Sequence, residues 1–220
     1  MLNTVRRMAT FSLIMLASLL LISCAGQAKF KPTEKAAGYD KNINGKVLVV
    51  FETSHLVKAF SEGGYLVRNQ IGNTPQDAAK SVINELKSQL VAYDIAVDGE
   101  VVEVIGAADR TAIAKAVAKY PATQQILLIN SDSFQTSQLM RYGVAQGPKF
   151  WSGRVSWSLA MFDRTAASTT GGKAVWSGKT EMVNFSPAQC GNDQFKLCAD
   201  RFVSNIVYQL RTDGFIRKIS

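Results

Sequence analysis

A single histidine, three cysteines and five prolines in 220 residues leave few means for several kinds of chemistry. With His55 alone, neither a His-Glu-x-x-His metal motif nor a multi-histidine centre can be assembled. Its neighbours Glu52 and Ser54 do not make a triad with it, because successive residues at a strand end point to opposite faces. No Cys-x-x-Cys and no Gly-x-Ser-x-Gly elbow occurs. Gly172 and Gly178-Lys179-Thr180 imitate a phosphate loop, but five residues separate the glycines instead of four, and the stretch lies inside an expected strand rather than at a strand-to-helix turn. Asp94, Asp98, Glu100 and Glu103 read as a solvated rim with no fixed carboxylate pair. Apolar runs are short as well, and none reaches the ~20 residues that span a bilayer. The expectation is a non-enzyme with no metal and no cofactor.

What the chain does have is an address. Arg6 and Arg7 lead an apolar run over residues 11–22, followed by small residues, which is the layout of a secretory signal. The run ends in Leu21-Ile22-Ser23-Cys24, which resembles the lipobox of bacterial lipoproteins. That resemblance implies acylation of Cys24 (a palmitate-type anchor), cleavage before it, and residues 1–23 as a lipoprotein signal peptide. An ordinary signal peptide cut elsewhere is the alternative. Ala25, rather than Asp, follows the cysteine, and in such lipoproteins this implies an outer-membrane, periplasm-facing destination. A single acyl chain holds a protein marginally, whereas two or more anchor it stably.

Loss of Arg6 and Arg7 leaves 23 basic residues against 17 acids, a mature net charge of +6. In an exported protein that charge meets lipid head groups, wall polymers and acidic protein faces rather than nucleic acid, and a solvated basic surface without a polyanion partner is the reading to prefer. Cys190 and Cys198 are then the remaining cysteines, and in an oxidising compartment they are expected to pair, closing a short loop worth about 2.6 kcal/mol. Residues 24–45 are rich in Lys, Ala and Gly and read as a tether averaging about 26 Å, with one periplasmic domain over residues 46–220.

Lys46-Val-Leu-Val-Val-Phe51 and Gln125-Ile-Leu-Leu-Ile-Asn130 are unbroken apolar runs, the pattern of strands buried on both faces. Between them Thr74-Pro75-Gln76-Asp77 starts an amphipathic helix over 75–92, and a second helix covers 109–119 before Pro121. Residues 93–97 and 100–105 flank Asp98-Gly99 and suggest a hairpin or a crossover. Residues 65–67 suggest a short edge strand, and 134–149 a polar loop. From Val155 the period becomes two, through Trp157, Leu159 and Met161, and again through Ala174, Trp176 and Gly178, which predicts an antiparallel hairpin. A helix over 196–212 follows and stops at Gly214. The expected fold is one α/β domain: a mixed sheet with helices packed on it and a C-terminal hairpin followed by a helix.

The tryptophans Trp151, Trp157 and Trp176 gather on that hairpin, and two readings are open: core packing, or an aromatic surface for a partner or a sugar ring. The order of strand, helix and strand, then Val155-Ser-Trp-Ser-Leu-Ala-Met-Phe-Asp163, a Gly-Gly-Lys turn and Ala174-Val-Trp-Ser-Gly-Lys179, resembles outer-membrane lipoprotein activators of peptidoglycan synthases and the curli-secretion lipoprotein domain. The resemblance covers about residues 46–185 and implies an α/β domain without an enzymatic site that works by protein contact. The chain lacks the long proline-rich tether of the activators. The expected partners are a membrane, through the lipid anchor, and an envelope protein; a periplasmic glycan- or small-molecule-binding module is the alternative.

Overall fold

The computed structural model describes residues 28–54, 74–103, 110–139, 150–166, 172–185 and 196–217. Six strands form one mixed sheet: β1 (Ala28–Lys35), β2 (Lys46–Glu52), β3 (Ala96–Val102), β4 (Gln125–Leu139), β5 (Phe150–Asp163) and β6 (Trp176–Phe185). Among the described residues three helices accompany it: α1 (Pro75–Leu90), α2 (Arg110–Ala118) and α3 (Lys196–Thr212). The spatial order is β1-β6-β5-β4-β2-β3. Strands β3, β2 and β4 are parallel, and β4, β5, β6 and β1 are successively antiparallel. The expected single α/β domain with a mixed sheet is therefore observed.

The central strand explains the layering. Val47, Val49 and Phe51 point to one face, where they join Val82, Leu86 and Leu90 of α1 and Phe202, Ile206 and Leu210 of α3. Leu48 and Val50 point to the other face and meet Ala116 of α2 with Val102 and Ile126. All five strand side chains are buried, and each contributes about 1.5–3 kcal/mol by leaving water. That double burial is why the run is apolar without alternation. Thr74 caps α1 as expected: its Oγ1 accepts from Asp77 N at 3.0 Å, and Pro75 opens the helix. At the far end of α3, Gly214 takes φ +79°, a backbone state that stops the helix.

Three expectations are corrected. Asp98-Gly99 forms no turn; it lies inside β3, which runs parallel to β2 with Leu48 opposite Asp98 and Val49 opposite Gly99. The glycine is there for space, since a Cβ on it would stand 2.3 Å from Ile83 Cγ2 of α1. The loop expected from residue 134 begins later, because β4 continues to Leu139 and pairs with β5 down to Leu139↔Phe150. The tether expected over 24–45 is in its central part a strand: Ala28–Lys35 pairs antiparallel with β6, from Ala28↔Met182 to Lys35↔Trp176. As an edge strand β1 takes its ladder from one neighbour and needs little apolar sequence of its own, and Pro32 is tolerated there. The expected β5–β6 hairpin is observed, not as an isolated pair but as the middle of the antiparallel half. The strand suggested at 65–67 lies outside the described residues.

Candidate functional site

The segment after β1 carries a polar cluster. Ile43 N donates to Phe215 O at 2.7 Å, and the Tyr39 ring stacks on Phe215 with centroids 5.7 Å apart, so the segment is fastened from both sides. Tyr39 Oη then donates to Asp163 Oδ2 at 2.8 Å. Gln125 Nε2 donates to Tyr39 Oη at 3.0 Å and to the carbonyl of Asn42 at 3.1 Å. Thr165 donates to Asp163 Oδ1 through its backbone N at 2.7 Å and its hydroxyl at 2.6 Å. Lys41 Nζ donates to Thr165 Oγ1 at 2.8 Å and stands 4.0 Å from Asp163 Oδ2. Gln125 opens β4 and Asp163 closes β5, directly opposite each other in the ladder, so strand register places two polar side chains beneath the tyrosine.

Open clefts lie on either side of this segment. One, of about 640 Å³, is bounded by Glu34, Lys35, Lys173 and Ser177; the other, of about 960 Å³, by Asn42, Lys46, Thr123, Gln125 and Arg217. Asn42 Oδ1 is buried and has no hydrogen-bond partner. Burial alone would raise the Asp163 carboxyl, but the donors from Thr165 and Tyr39, with Lys41 nearby, outweigh it and hold it below the ordinary carboxylate range. Tyr39 is pushed up to about 12, first by burial and then by its bond to the Asp163 carboxylate. At neutral pH the pair is a neutral phenol donating to an ionised acid, each spent on the other, which is a clasp rather than a proton relay. A second, exposed cluster joins α2 to β3, with Lys119 Nζ at 2.9 Å and Tyr120 Oη at 2.8 Å from the Glu100 carboxylate.

Two of the expected tryptophans belong to the core. Trp157 is 1% exposed and packs on Phe202 with centroids 4.3 Å apart. Trp176 is fully buried; its Nε1 donates to Asp213 Oδ2 at 2.7 Å and its ring meets Phe215 edge-on. The partner surface expected from them is therefore corrected: their alternation points both under α3, onto the face that the helices cover. Trp151 occupies a β5 position opposite Gln138. Cys24, His55 and Cys190 lie outside the described residues, and of Cys198 only its place in α3 is described. Among the described residues there is no group of three or more His, Cys, Asp or Glu side chains that could hold a metal ion, and no helix long and apolar enough to cross a membrane. The clasp of Tyr39, Gln125 and Asp163 was not foreseen; its members are up to 124 residues apart, and only the isolated Tyr39 in a polar stretch signals it.

No protein-family model matches the chain, and no curated protein does. Among solved structures it is similar to the PelC dodecamer from Paraburkholderia phytofirmans, with 13% identity over 84% of this chain and 97% of that one and a TM-score of 0.42. It is also similar to lipoprotein GNA1162 from Neisseria meningitidis, with 16% identity, coverage of 76% and 99%, and a TM-score of 0.38. The hypothetical protein CT253 from Chlamydia trachomatis gives 13% identity, coverage of 78% and 96%, and a TM-score of 0.43. These superpositions are loose, and fewer than one residue in six is shared.

Proposed function

We propose that the protein is a non-catalytic outer-membrane lipoprotein, anchored through Cys24 and facing the periplasm, that binds and assists an envelope or cell-wall assembly complex. The observation that carries this reading is the junction of sequence and fold. The lipobox-like Leu21-Ile22-Ser23-Cys24 stands directly before Ala28, where β1 enters the sheet. A lipid on Cys24 would thus hold a folded domain rather than a free tail. The polar cluster supports a structural role for its own residues, because the Asp163 carboxylate and the Tyr39 phenol are bonded to each other. The test is Cys24→Ala: an unprocessed or soluble form is expected, and continued processing with membrane association would reject the lipoprotein. Crosslinking followed by affinity isolation from intact cells then tests partnership; the expected result is one envelope protein recovered reproducibly with the wild type.

A second reading, a binding module for a glycan or small polar molecule, is favoured by the roughly 960 Å³ cleft with its buried acceptor Asn42 Oδ1 and the cations Lys41, Lys46 and Arg217 at its edge. Chemical-shift changes on titration with wall-derived glycans would have to centre on residues 40–46 and 122–125 for this reading to stand.

A further inference from the structure

The register of the sheet fixes where the amino-terminal end of the domain lies. Ala28 is opposite Met182, Met182 opposite Val155, and Val155 opposite Phe134. Beyond that level β4 and β5 continue together for five more ladder pairs, from Gln135↔Arg154 to Leu139↔Phe150. At about 3.4 Å per residue the ribbon stands about 17 Å past the start of β1. Strand β6 accompanies it only as far as Phe185, opposite Gly153, so among the described residues the last three pairs form a ribbon with no strand on either side.

The chain before β1 leaves from the same end. Three residues separate Cys24 from Ala28, and the four Cα steps between them reach at most about 14 Å. The composition of the ribbon suits the medium found there. Its positions 134–139 and 150–155 include Phe134, Leu139, Phe150, Trp151 and Val155, interspersed with Ser, Gln and Thr, and Arg154 is the single charge. Tryptophan prefers the interface between head groups and acyl chains, and Phe and Leu supply apolar area that can enter it. Lys29, the second residue of β1, lies at the same end.

We infer that the protruding β4–β5 ribbon is a second membrane contact, seated in the phospholipid interface beside the lipid on Cys24, so that the polar clefts face away from the bilayer. This rests on the lipoprotein reading and adds an orientation to it. Two attachments on one end fix the domain upright, where a lipid on a free tether would let it tumble.

The full-length protein, purified from membranes and reconstituted into phospholipid vesicles, is floated on a density gradient, and its tryptophan emission is compared with that of Trp151→Phe. Trp157 and Trp176 are core residues, so the difference spectrum reports position 151. Expected is co-flotation, with more than half of that difference emission lost when the phospholipids carry bromine near the glycerol end of their acyl chains. Co-flotation with a bromine-insensitive Trp151 overturns the ribbon contact and leaves the lipid anchor standing. A blue-shifted but bromine-insensitive Trp151 likewise overturns it, and assigns the ribbon to a protein partner or a second copy. Failure to float rejects the lipoprotein reading and this inference with it. Amide exchange leaves the ribbon sequence unchanged: residues 134–139 and 150–155 should exchange more slowly in the wild type on vesicles than in soluble Cys24→Ser, and equal rates refute the contact.

Discussion

Two buried tryptophans on the same face of the sheet offer a controlled comparison, because the same substitution removes a bonded indole N–H at one site and an unbonded one at the other. Trp176 Nε1 donates to the Asp213 carboxylate at 2.7 Å, whereas Trp157 Nε1 is buried without a partner. Replacement of either by Phe deletes a similar volume from a core position at most 1% exposed, so the packing loss largely cancels in the difference. The polar terms do not cancel. Loss of a hydrogen bond to a charged acceptor costs about 1.5–3 kcal/mol, while removal of an unsatisfied buried donor returns about 1–3 kcal/mol of desolvation penalty. Trp176→Phe is thus expected to be the more destabilising by at least about 2 kcal/mol. Urea denaturation followed by far-UV circular dichroism reads both free energies on one m-value. Equal losses, or a larger loss for Trp157→Phe, would refute the hydrogen-bond assignment, and Asp213→Asn should narrow the gap by weakening the acceptor.

The clasp predicts opposite pH limbs. The Asp163 carboxyl titrates below its unfolded value of about 3.9, so its contribution is complete above that pH and is lost as pH falls through the lower folded value; Asp163→Asn should flatten the acid limb of a thermal-denaturation profile. Tyr39 titrates above its unfolded value, so its contribution is complete below pH 10 and is lost as pH rises towards about 12; Tyr39→Phe should remove that alkaline decline. Gly99→Ala drives a methyl into Ile83 and should cost about 1–3 kcal/mol, with a smaller increment in an Ile83→Ala background; an unchanged increment in the double-mutant cycle would reject the steric cause. Thr74→Ala should cost about 1 kcal/mol by uncapping α1, and an unchanged midpoint would show that the cap carries no net stability.

What could be read from the sequence follows burial. The runs Lys46–Glu52 and Gln125-Ile-Leu-Leu-Ile-Asn130 announce themselves because both faces of each are covered, and α1 and α3 because one stripe of each is. Strand β1 escapes notice because an edge strand is defined by a neighbour's free hydrogen bonds, which its own Lys-rich sequence does not encode. The distal part of β4 reads as a loop since Ser, Gln and Thr give no period, though its ladder with β5 is continuous apart from a bulge. Asp98-Gly99 is ambiguous for a different reason. A glycine that enables a turn and a glycine that admits a helix side chain look alike until Ile83 is placed. The clasp depends on tertiary proximity alone, and the aromatic cluster was visible as a cluster while its facing was set by which side α3 covers.

The pairing of β1 with β6 also dictates an order of events. Ala28 waits for Met182, a partner 154 residues later in the chain, and Lys35 waits for the carbonyl of Asp213. Contacts that distant close slowly, because the loop entropy must be met before the ladder returns anything. A chain emerging from its amino-terminal end would therefore present an unpaired first strand until nearly all of it had crossed. On the lipoprotein reading proposed above, Cys24, four positions before Ala28, would be accessible for acylation before β6 is available to pair with β1. Pairing of the first strand is then a late event, and a carboxy-terminal truncation that removes β6 should leave β1 unable to dock.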